Sequence, residues 1–317
     1  MYDCWRLCPD FSVCMDRRHG TFDGPYQWTR CELTSPILNE DNYDTEINTV
    51  CSDLKNARIH INKNSAVHVH VGLRGASFSL LTIKKFATFY WLTEDAFLKL
   101  HHPCRHWNKY CFRLTIYSSL ATKTLEQLRE EEECLDPKGL LLMGNWIPTE
   151  ELTELQRARF RRIWGSTRIE EIGYLMGAAR RVPVHQAYDR RGSVGFLRFL
   201  PRGQFGANIN TFEWRQMSST LDAEHIIQWA EACIFFTDFC RTASEVVFKS
   251  HIAKVIEKCG DYSGIELIRD LHANTDILEK KLESWKQDAS FCEDKSGAAL
   301  FVPRSPPYSD SPSGDVF

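Results

Sequence analysis

The chain is organised around the stretch Asn64-Ser65-Ala66-Val67-His68-Val69-His70-Val71-Gly72, in which valine alternates with histidine. In a strand, this alternation directs His68 and His70 to one face and the valines to the other. Gly72 then ends or kinks the strand. Two neighbouring imidazoles on one sheet face need partners, because each ring nitrogen donates or accepts a hydrogen bond. The pattern therefore predicts a strand with a polar front and an apolar back.

A second segment of the same type lies far along the chain, at Asn210-Thr211-Phe212-Glu213-Trp214-Arg215-Gln216. As a strand it places Glu213 and Arg215 on one face and two aromatic side chains on the other, and we expect Gln216 to prolong the polar front. If the two strands pair, His68, His70, Glu213 and Arg215 form one surface. We call these four side chains the polar floor.

The composition is that of a globular protein with a large core. The chain has 317 residues, of which 43% are hydrophobic and 26% charged, with nine Trp and nineteen Phe. The net charge of −3 favours neither nucleic acid nor an acidic membrane as a partner. No apolar run approaches the roughly 20 residues of a membrane helix, and the first residues lack the features of a signal peptide. We expect a cytoplasmic protein.

The twelve cysteines are spread over nearly the whole length, and none forms a Cys-x-x-Cys pair. Cys233 and Cys240 are seven residues apart on one face of a predicted helix, which is how core cysteines are placed. The pattern favours buried free thiols over structural zinc or a disulfide framework.

We predict one α+β domain over 1–290, with a curved, mostly antiparallel sheet and helices packed on one of its faces. It carries a helical insertion at about 120–178, and a tail at 291–317 is rich in Pro and Ser and is expected to be disordered. The charged runs of the insertion are interpreted as solvated helix surface. The predicted elements are a strand at 30–37, a strand at about 57–73, and helices at 40–56, 77–100, from 220 onward, and at about 262–287.

Each candidate site residue has a structural and a functional interpretation. His68 and His70 are either a hydrogen-bonded pair within the sheet or contacts to a metal or substrate. A hard cation such as Mg²⁺ would need carboxylates, which Glu32 and Glu213 offer. Arg105, after His-Pro, either satisfies helix carbonyls or binds an anionic ligand.

Glu213 and Arg215 are either charges on an exposed sheet face or a functional pair. In the second case the carboxylate holds a metal while the guanidinium binds phosphate. The chain has no Gly-x-x-x-x-Gly-Lys loop, no Gly-x-Gly-x-x-Gly after a strand and no Gly-x-Ser-x-Gly elbow. The common nucleotide-binding and hydrolase folds are therefore unsupported.

The order of four segments resembles the amidoligase family. They are Glu-Leu-Thr-Ser-Pro-Ile at 32–37, His-Val-His-Val-Gly at 68–72, His-Pro-Cys-Arg-His-Trp-Asn-Lys-Tyr-Cys at 102–111 and Asn-Thr-Phe-Glu-Trp-Arg-Gln at 210–216. The continuation from Thr220 to Trp229 is similar as well, and Asp10-Phe11-Ser12-Val13 resembles the family's Asp-x-Ser-Ile segment. The likeness extends with gaps over roughly residues 5–245.

The resemblance implies a glutamine-synthetase-like carboxylate–amine ligase fold and ATP-dependent amide formation through an acyl phosphate, with Mg²⁺ bridging the phosphates. Carried over by position, it implies that Glu32 and Glu213 bind metal, that His68 or His70 contacts metal or phosphate, and that Arg215 contacts phosphate. From the residues and the resemblance together we predict a metal site at Glu32, Glu213 and His68. We also predict catalytic roles for Arg215 and His70, and nucleotide contacts from Arg215, Arg105 and Gln216. The substrates would be a small-molecule or peptide carboxylate and an amine.

One departure from the family pattern leaves alternatives open. Family members begin with a Gly-x-Glu-x-Glu strand, and no such pattern precedes Glu32. We therefore expect that the first strand is missing by truncation or supplied by a partner, or that catalysis has been lost. In the last case the protein is an inactive relative that binds nucleotide or peptide. A third hypothesis is a metal-dependent hydrolase that uses His68, His70 and Glu213.

Overall fold

The computed structural model describes residues 3–10, 13, 29–57, 59, 61, 65–105, 111–177, 192–196, 199 and 210–296. Helices dominate the described part and pack against short antiparallel strands, which confirms the predicted α+β class. The strands are β1 (Arg6–Pro9), β2 (Cys31–Thr34), β3 (Val69–Gly72), β4 (Val194–Gly195) and β5 (Thr211–Trp214). The longer helices are α1 (Tyr43–Asn56), α2 (Leu80–Leu98), α5 (Pro137–Trp146), α6 (Glu154–Trp164), α8 (Ala223–Thr242), α9 (Glu245–Lys258) and α11 (Asp276–Ser296). The shorter helices are α3 (Leu114–Tyr117), α4 (Leu125–Glu130), α7 (Ile169–Met176) and α10 (Gly264–Asp270).

The described strands form two small sheets. One consists of β1 and β2, and the other has the order β3-β5-β4, with antiparallel pairing throughout. The two predicted strands of the polar floor therefore pair, as β3 and β5, although β3 is shorter than the predicted strand at 57–73. This pairing across more than 130 residues of chain brings the two polar fronts together.

A β-bulge interrupts the pairing next to the polar floor. Val69 is opposite Trp214, whereas the next bridge joins Ala66 to Ser218. Two residues of one chain segment therefore oppose three of the other, 215–217. A bulge of this kind bends its strand and re-aims the side chains at the extra residue.

Helix α2 lies under the three-stranded sheet and forms the centre of the core. It begins at the cap Ser79, whose hydroxyl accepts a hydrogen bond from the Thr82 N–H at 3.1 Å. Its Phe86 ring stacks on Phe212 of β5, with centroids 3.7 Å apart, and meets Trp214 edge-on at 5.5 Å. The apolar back of β5 therefore rests on α2, and the polar front faces away from it.

Two polar side chains of α2, Lys84 and Thr88, are buried in this core. The Lys84 amine donates to the carbonyl of Trp164 at 2.5 Å, and the Trp164 indole donates to the Thr88 hydroxyl at 3.0 Å. Because α6 supplies these partners, two polar side chains are accommodated inside the core.

The predicted helical insertion at about 120–178 contains α4 to α7. Its acidic and basic runs lie partly exposed and pair with each other. Glu131 accepts from Arg162 at 2.9 Å, and Glu132 accepts from Arg161. These ion pairs join the end of α4 to α6.

The C-terminal part is also helical. Asp222 caps α8, and Cys233 and Cys240 are fully buried as predicted. The single helix predicted at 262–287 is divided into α10 and α11, with a turn between them. Helix α11 extends six residues into the predicted tail, whose remainder lies outside the described residues. Among the described helices none has both the length and the apolar character needed to cross a membrane.

Candidate active site on the β3–β5 surface

The polar floor is assembled around one oxygen atom, Oε1 of Glu213. The register places His70 directly opposite Glu213, and His70 Nε2 lies 3.8 Å from this oxygen. His68, two residues earlier on the same face, places its Nδ1 at 3.6 Å from it. The alternation of valine and histidine therefore places both imidazoles on one face, as the sequence predicted.

Arg215 contributes the fourth side chain. Its Nη1 donates to the same Glu213 Oε1, and the two residues form an ion pair that is largely withdrawn from water, with Arg215 4% exposed and Glu213 13%. The Arg215 N–H donates to the carbonyl of Ser193 at 2.9 Å, so the backbone of Arg215 is tied to the segment that enters β4. A guanidinium held in this way keeps a fixed orientation.

The two histidines form the open side of the floor. Their side chains are 25% and 36% exposed, whereas the guanidinium lies beneath them. His70 Nδ1 is 3.1 Å from the Thr211 hydroxyl, and this contact fixes the plane of the ring. A ligand arriving from solvent would therefore meet two imidazoles first, with a carboxylate and a guanidinium behind them. Such a set can donate to an anion and can take up a proton.

Gly195 provides the space for the Glu213 side chain. It is paired with Glu213 across the β4–β5 ladder. A Cβ added at Gly195 would lie 3.2 Å from both Cβ and Oε2 of Glu213, closer than ordinary van der Waals contact. The missing side chain at 195 thus lets the carboxylate lie across β4.

Arg105 reaches the site from below. It ends a short 3-10 helix, Pro103–Arg105, is 1% exposed, and its Nη2 donates to the carbonyl of Arg215 at 2.7 Å. The Cys111 thiol is nearby. Burial raises its pKa to about 11, although the positive charges of Arg105 and Arg215 act in the opposite direction. Arg105 therefore supports the backbone of Arg215, and its role as a nucleotide contact stays a prediction.

Gln216 does not lie on the polar front. It is fully buried, and its Nε2 donates to the Tyr90 hydroxyl of α2 at 2.6 Å. Because it follows Glu213 by three residues, strand alternation places its side chain on the opposite face, toward the helix. The predicted face of Gln216 is wrong, because it continues the apolar back with Phe212 and Trp214.

Glu32 is not brought to the polar floor. It is exposed on β2, opposite Cys8 in the separate two-stranded sheet, and in the described part of the chain no contact joins it to His68 or Glu213. The described residues also contain no group of three His, Cys, Asp or Glu side chains that could hold a metal ion. The predicted metal set of Glu32, Glu213 and His68 is therefore not assembled among them.

The sequence interpretation missed a buried polar network beneath the floor. Glu94 of α2 is fully buried, accepts from the Ser193 hydroxyl, and is joined through Ser193 to Tyr90, whose hydroxyl donates to the Ser193 oxygen at 2.8 Å. Burial raises the pKa of Glu94, while hydrogen bonds from Ser193, Thr115 and Leu114 act against this rise. The signal that could have revealed it was a glutamate, Glu94, on the apolar side of α2, next to the exposed Asp95.

Comparison with known protein families finds a match over part of the chain. A family profile described as "Putative amidoligase enzyme" matches residues 1–139. These residues include three of the four segments that carry the resemblance, and the segment 210–216 lies beyond them. No curated protein and no solved structure matches the chain.

Proposed function

With the amidoligase resemblance confirmed over residues 1–139, we propose that this protein is an ATP-dependent carboxylate–amine ligase whose reacting groups are held on the polar floor. The substrates are a carboxylate and an amine, each on a small molecule or a peptide. The observation that carries the proposal is the convergence of His68, His70 and Arg215 on one oxygen of Glu213.

This arrangement suits a reaction in which negative charge builds up between two anions. In a ligase of this class, ATP supplies a phosphoryl group that converts the carboxylate into an acyl phosphate. The Arg215 guanidinium, held beneath the histidines, lowers the energy of the developing charge, because positive charge in a site with little water acts strongly. Its ion pair with Glu213 keeps its planar fork in place before the substrates arrive.

Formation of the amide also requires a proton acceptor. The attacking amine must lose a proton as the new C–N bond forms and phosphate leaves. His70 is the more exposed imidazole, its Nε2 faces Glu213 Oε1, and a carboxylate beside a histidine stabilises the imidazolium that results. We assign His70 the role of general base and Glu213 that of its orienting partner.

The fit of Mg²⁺ to the described residues is incomplete. Mg²⁺ prefers an octahedral shell of oxygen ligands, and on the floor Glu213 already shares one oxygen with Arg215. With Glu32 on the other sheet, the described residues do not complete a Mg²⁺ site. The donors on the floor fit phosphate oxygens better, since a guanidinium and two imidazoles all donate hydrogen bonds.

Calorimetric titration of ATP, with and without Mg²⁺, tests the proposal. The variants are His70→Asn, which removes an exposed ring and should leave the fold intact, and Arg215→Lys, which keeps a charge but loses the fork. We expect ATP to bind the wild type and to bind each variant at least about tenfold more weakly, as loss of a charge-assisted hydrogen bond implies.

The matched controls are His251→Asn and Arg241→Lys, which change the same residue types on α9 and α8. There His251 contacts a carbonyl of its own helix, and Arg241 pairs with Asp238 in the same helix. Thermal melts of all variants separate loss of binding from loss of fold. The proposal would be refuted if wild-type protein failed to bind ATP, or if the floor variants bound it as well as their controls.

A further inference from the structure

The network beneath the polar floor consists of three buried side chains that donate in one direction. The Gln216 amide donates to the Tyr90 hydroxyl at 2.6 Å, and Tyr90 donates to the Ser193 oxygen at 2.8 Å. Ser193 in turn donates to Glu94 Oε1. The series of donors ends at a carboxylate, which is the one member that accepts without donating.

Glu94 accepts more hydrogen bonds than a protonated carboxyl group could. Besides Ser193, it accepts from the Leu114 N–H at 2.6 Å, the Thr115 N–H at 2.8 Å and the Thr115 hydroxyl at 2.7 Å. Four donors saturate the two oxygens, and such a set compensates the cost of burying a charge. The carboxylate therefore joins α2, the start of α3 and the segment before β4 at one point.

Ser193 connects this point to the polar floor. Its side chain lies between Glu94 and Tyr90, its N–H donates to the Phe112 carbonyl at 2.7 Å, and its own carbonyl accepts from the Arg215 N–H at 2.9 Å. Ser193 is thus fixed by hydrogen bonds of its side chain, its N–H and its carbonyl, and it is the carbonyl oxygen that contacts Arg215. A change in the position of Ser193 would move the backbone of Arg215. It would therefore also move the Arg215 guanidinium, which is paired with Glu213.

We propose that Glu94 is a positioning residue of the polar floor: acting through Ser193, it fixes the backbone of Arg215 and thereby the ion pair between Arg215 and Glu213. Glu94 touches no substrate in this scheme. The inference rests on the proposed function for its catalytic meaning, because an accurately placed guanidinium matters when charge builds up at one atom. The geometric part does not depend on that function.

Ser193→Ala tests the connection, because it removes the hydroxyl and keeps the backbone. The control is Thr93→Val on the neighbouring position of α2, where an equally buried hydroxyl donates to the Phe89 carbonyl of its own helix at 2.8 Å. Two quantities are measured: the titration midpoints of His68 and His70 by NMR, and the affinity for ATP by calorimetry. Glu94→Gln is a second variant, in which an amide donor replaces one of the accepting oxygens.

We expect Ser193→Ala to shift at least one histidine midpoint by about half a pH unit or more, because these rings sense the charge on Glu213. We also expect ATP to bind about tenfold more weakly. Thr93→Val should change neither. If both midpoints and the ATP affinity of Ser193→Ala equal those of Thr93→Val, the inference is overturned while the proposed function stands. If the wild type does not bind ATP, the proposed function fails, and the midpoints still decide whether Glu94 positions the floor.

Discussion

His70 and Glu213 face each other across the β3–β5 ladder, with His70 Nε2 3.8 Å from Glu213 Oε1. The relationship joins residues 143 positions apart in the chain, and Arg215 completes it by donating to the same oxygen. Glu213 is therefore the residue on which the rest of the floor depends. A change there should affect both stability and function.

Glu213→Gln should destabilise the fold by about 3 kcal/mol, because it leaves a buried guanidinium without its counter-charge. Arg215 is 4% exposed, so water cannot take the place of the carboxylate. Urea unfolding, analysed by linear extrapolation, measures the loss. The matched control is Asp238→Asn, which removes the charge from an ion pair whose two side chains are about half exposed. The control should change stability by less than about 0.5 kcal/mol. Equal losses in the two variants would mean that the Glu213–Arg215 pair is no stronger than a surface pair.

Gly195→Ala should displace the Glu213 carboxylate and impair ATP binding while the protein stays folded. The added Cβ would lie 3.2 Å from two atoms of that side chain, so the carboxylate must move by a few tenths of an ångström. Calorimetry and far-UV circular dichroism check the two halves of the prediction.

Gly144→Ala on α5 is the control for this substitution. Nothing lies within 4 Å of an added Cβ at Gly144. Alanine is the better helix former, so this variant should gain about 0.5–1 kcal/mol and bind ATP like the wild type. A Gly195→Ala protein with unchanged ATP affinity would show that the position of Glu213 has no influence on binding.

The pairing of β3 with β5 could be predicted because a strand alternates with a period of two. In each segment the side chains that point away from the core are polar, and those that point toward it are apolar. The histidines of one segment and the glutamate of the other can form hydrogen bonds with each other. The same rule places Gln216 on the face of Phe212 and Trp214, so its assignment to the polar front departed from the alternation and was wrong. The bulge at 215–217 could not be predicted, because it depends on the partner strand, which a local pattern does not show.

Contacts between distant parts of the chain decide which polar side chains are buried and which strands share a sheet, and a local sequence pattern does not show them. Lys84 is polar, and its burial follows from a carbonyl at Trp164 that α6 delivers. Glu94 stood out as a carboxylate in an apolar helix, but its donors come from residues 114, 115 and 193. Glu32 was assigned to a metal site with Glu213 because it offers a carboxylate and because of the family resemblance, whereas the strands that carry the two residues belong to separate sheets.

Phe86→Ala should destabilise the protein by about 3–5 kcal/mol, the range for removing a fully buried aromatic ring. Phe86 stacks on Phe212 directly behind Glu213, and Phe236 of α8 packs on its other side with centroids 5.1 Å apart. Chemical unfolding measures the loss. Phe235→Ala, at a neighbouring α8 position that is 41% exposed, is the control and should cost less than about 1 kcal/mol. Comparable losses would contradict the view that β5 rests on α2.

His225 predicts how stability depends on pH. It is 2% exposed near the start of α8, and burial, assisted by the positive charge of Lys281, lowers its pKa from 6.5 to about 4. Asp222 acts in the opposite direction. Because the folded state binds this proton less readily than the unfolded state, the folded form loses stability as pH falls from about 6.5 toward 4. A histidine whose pKa is lowered by this amount should reduce the free energy of unfolding by about 2 kcal/mol when the pH falls from about 7.5 to 5.

His225→Leu isolates this contribution, because leucine fills a similar volume and does not titrate. We expect the difference in unfolding free energy between about pH 7.5 and pH 5 to shrink by about 2 kcal/mol relative to the wild type. Since Trp285 of α11 packs 5.8 Å from the His225 ring, protonation would act where α11 meets α8. If the wild-type protein were equally stable at both pH values, the pKa of His225 would not be lowered by folding, and the prediction would be wrong.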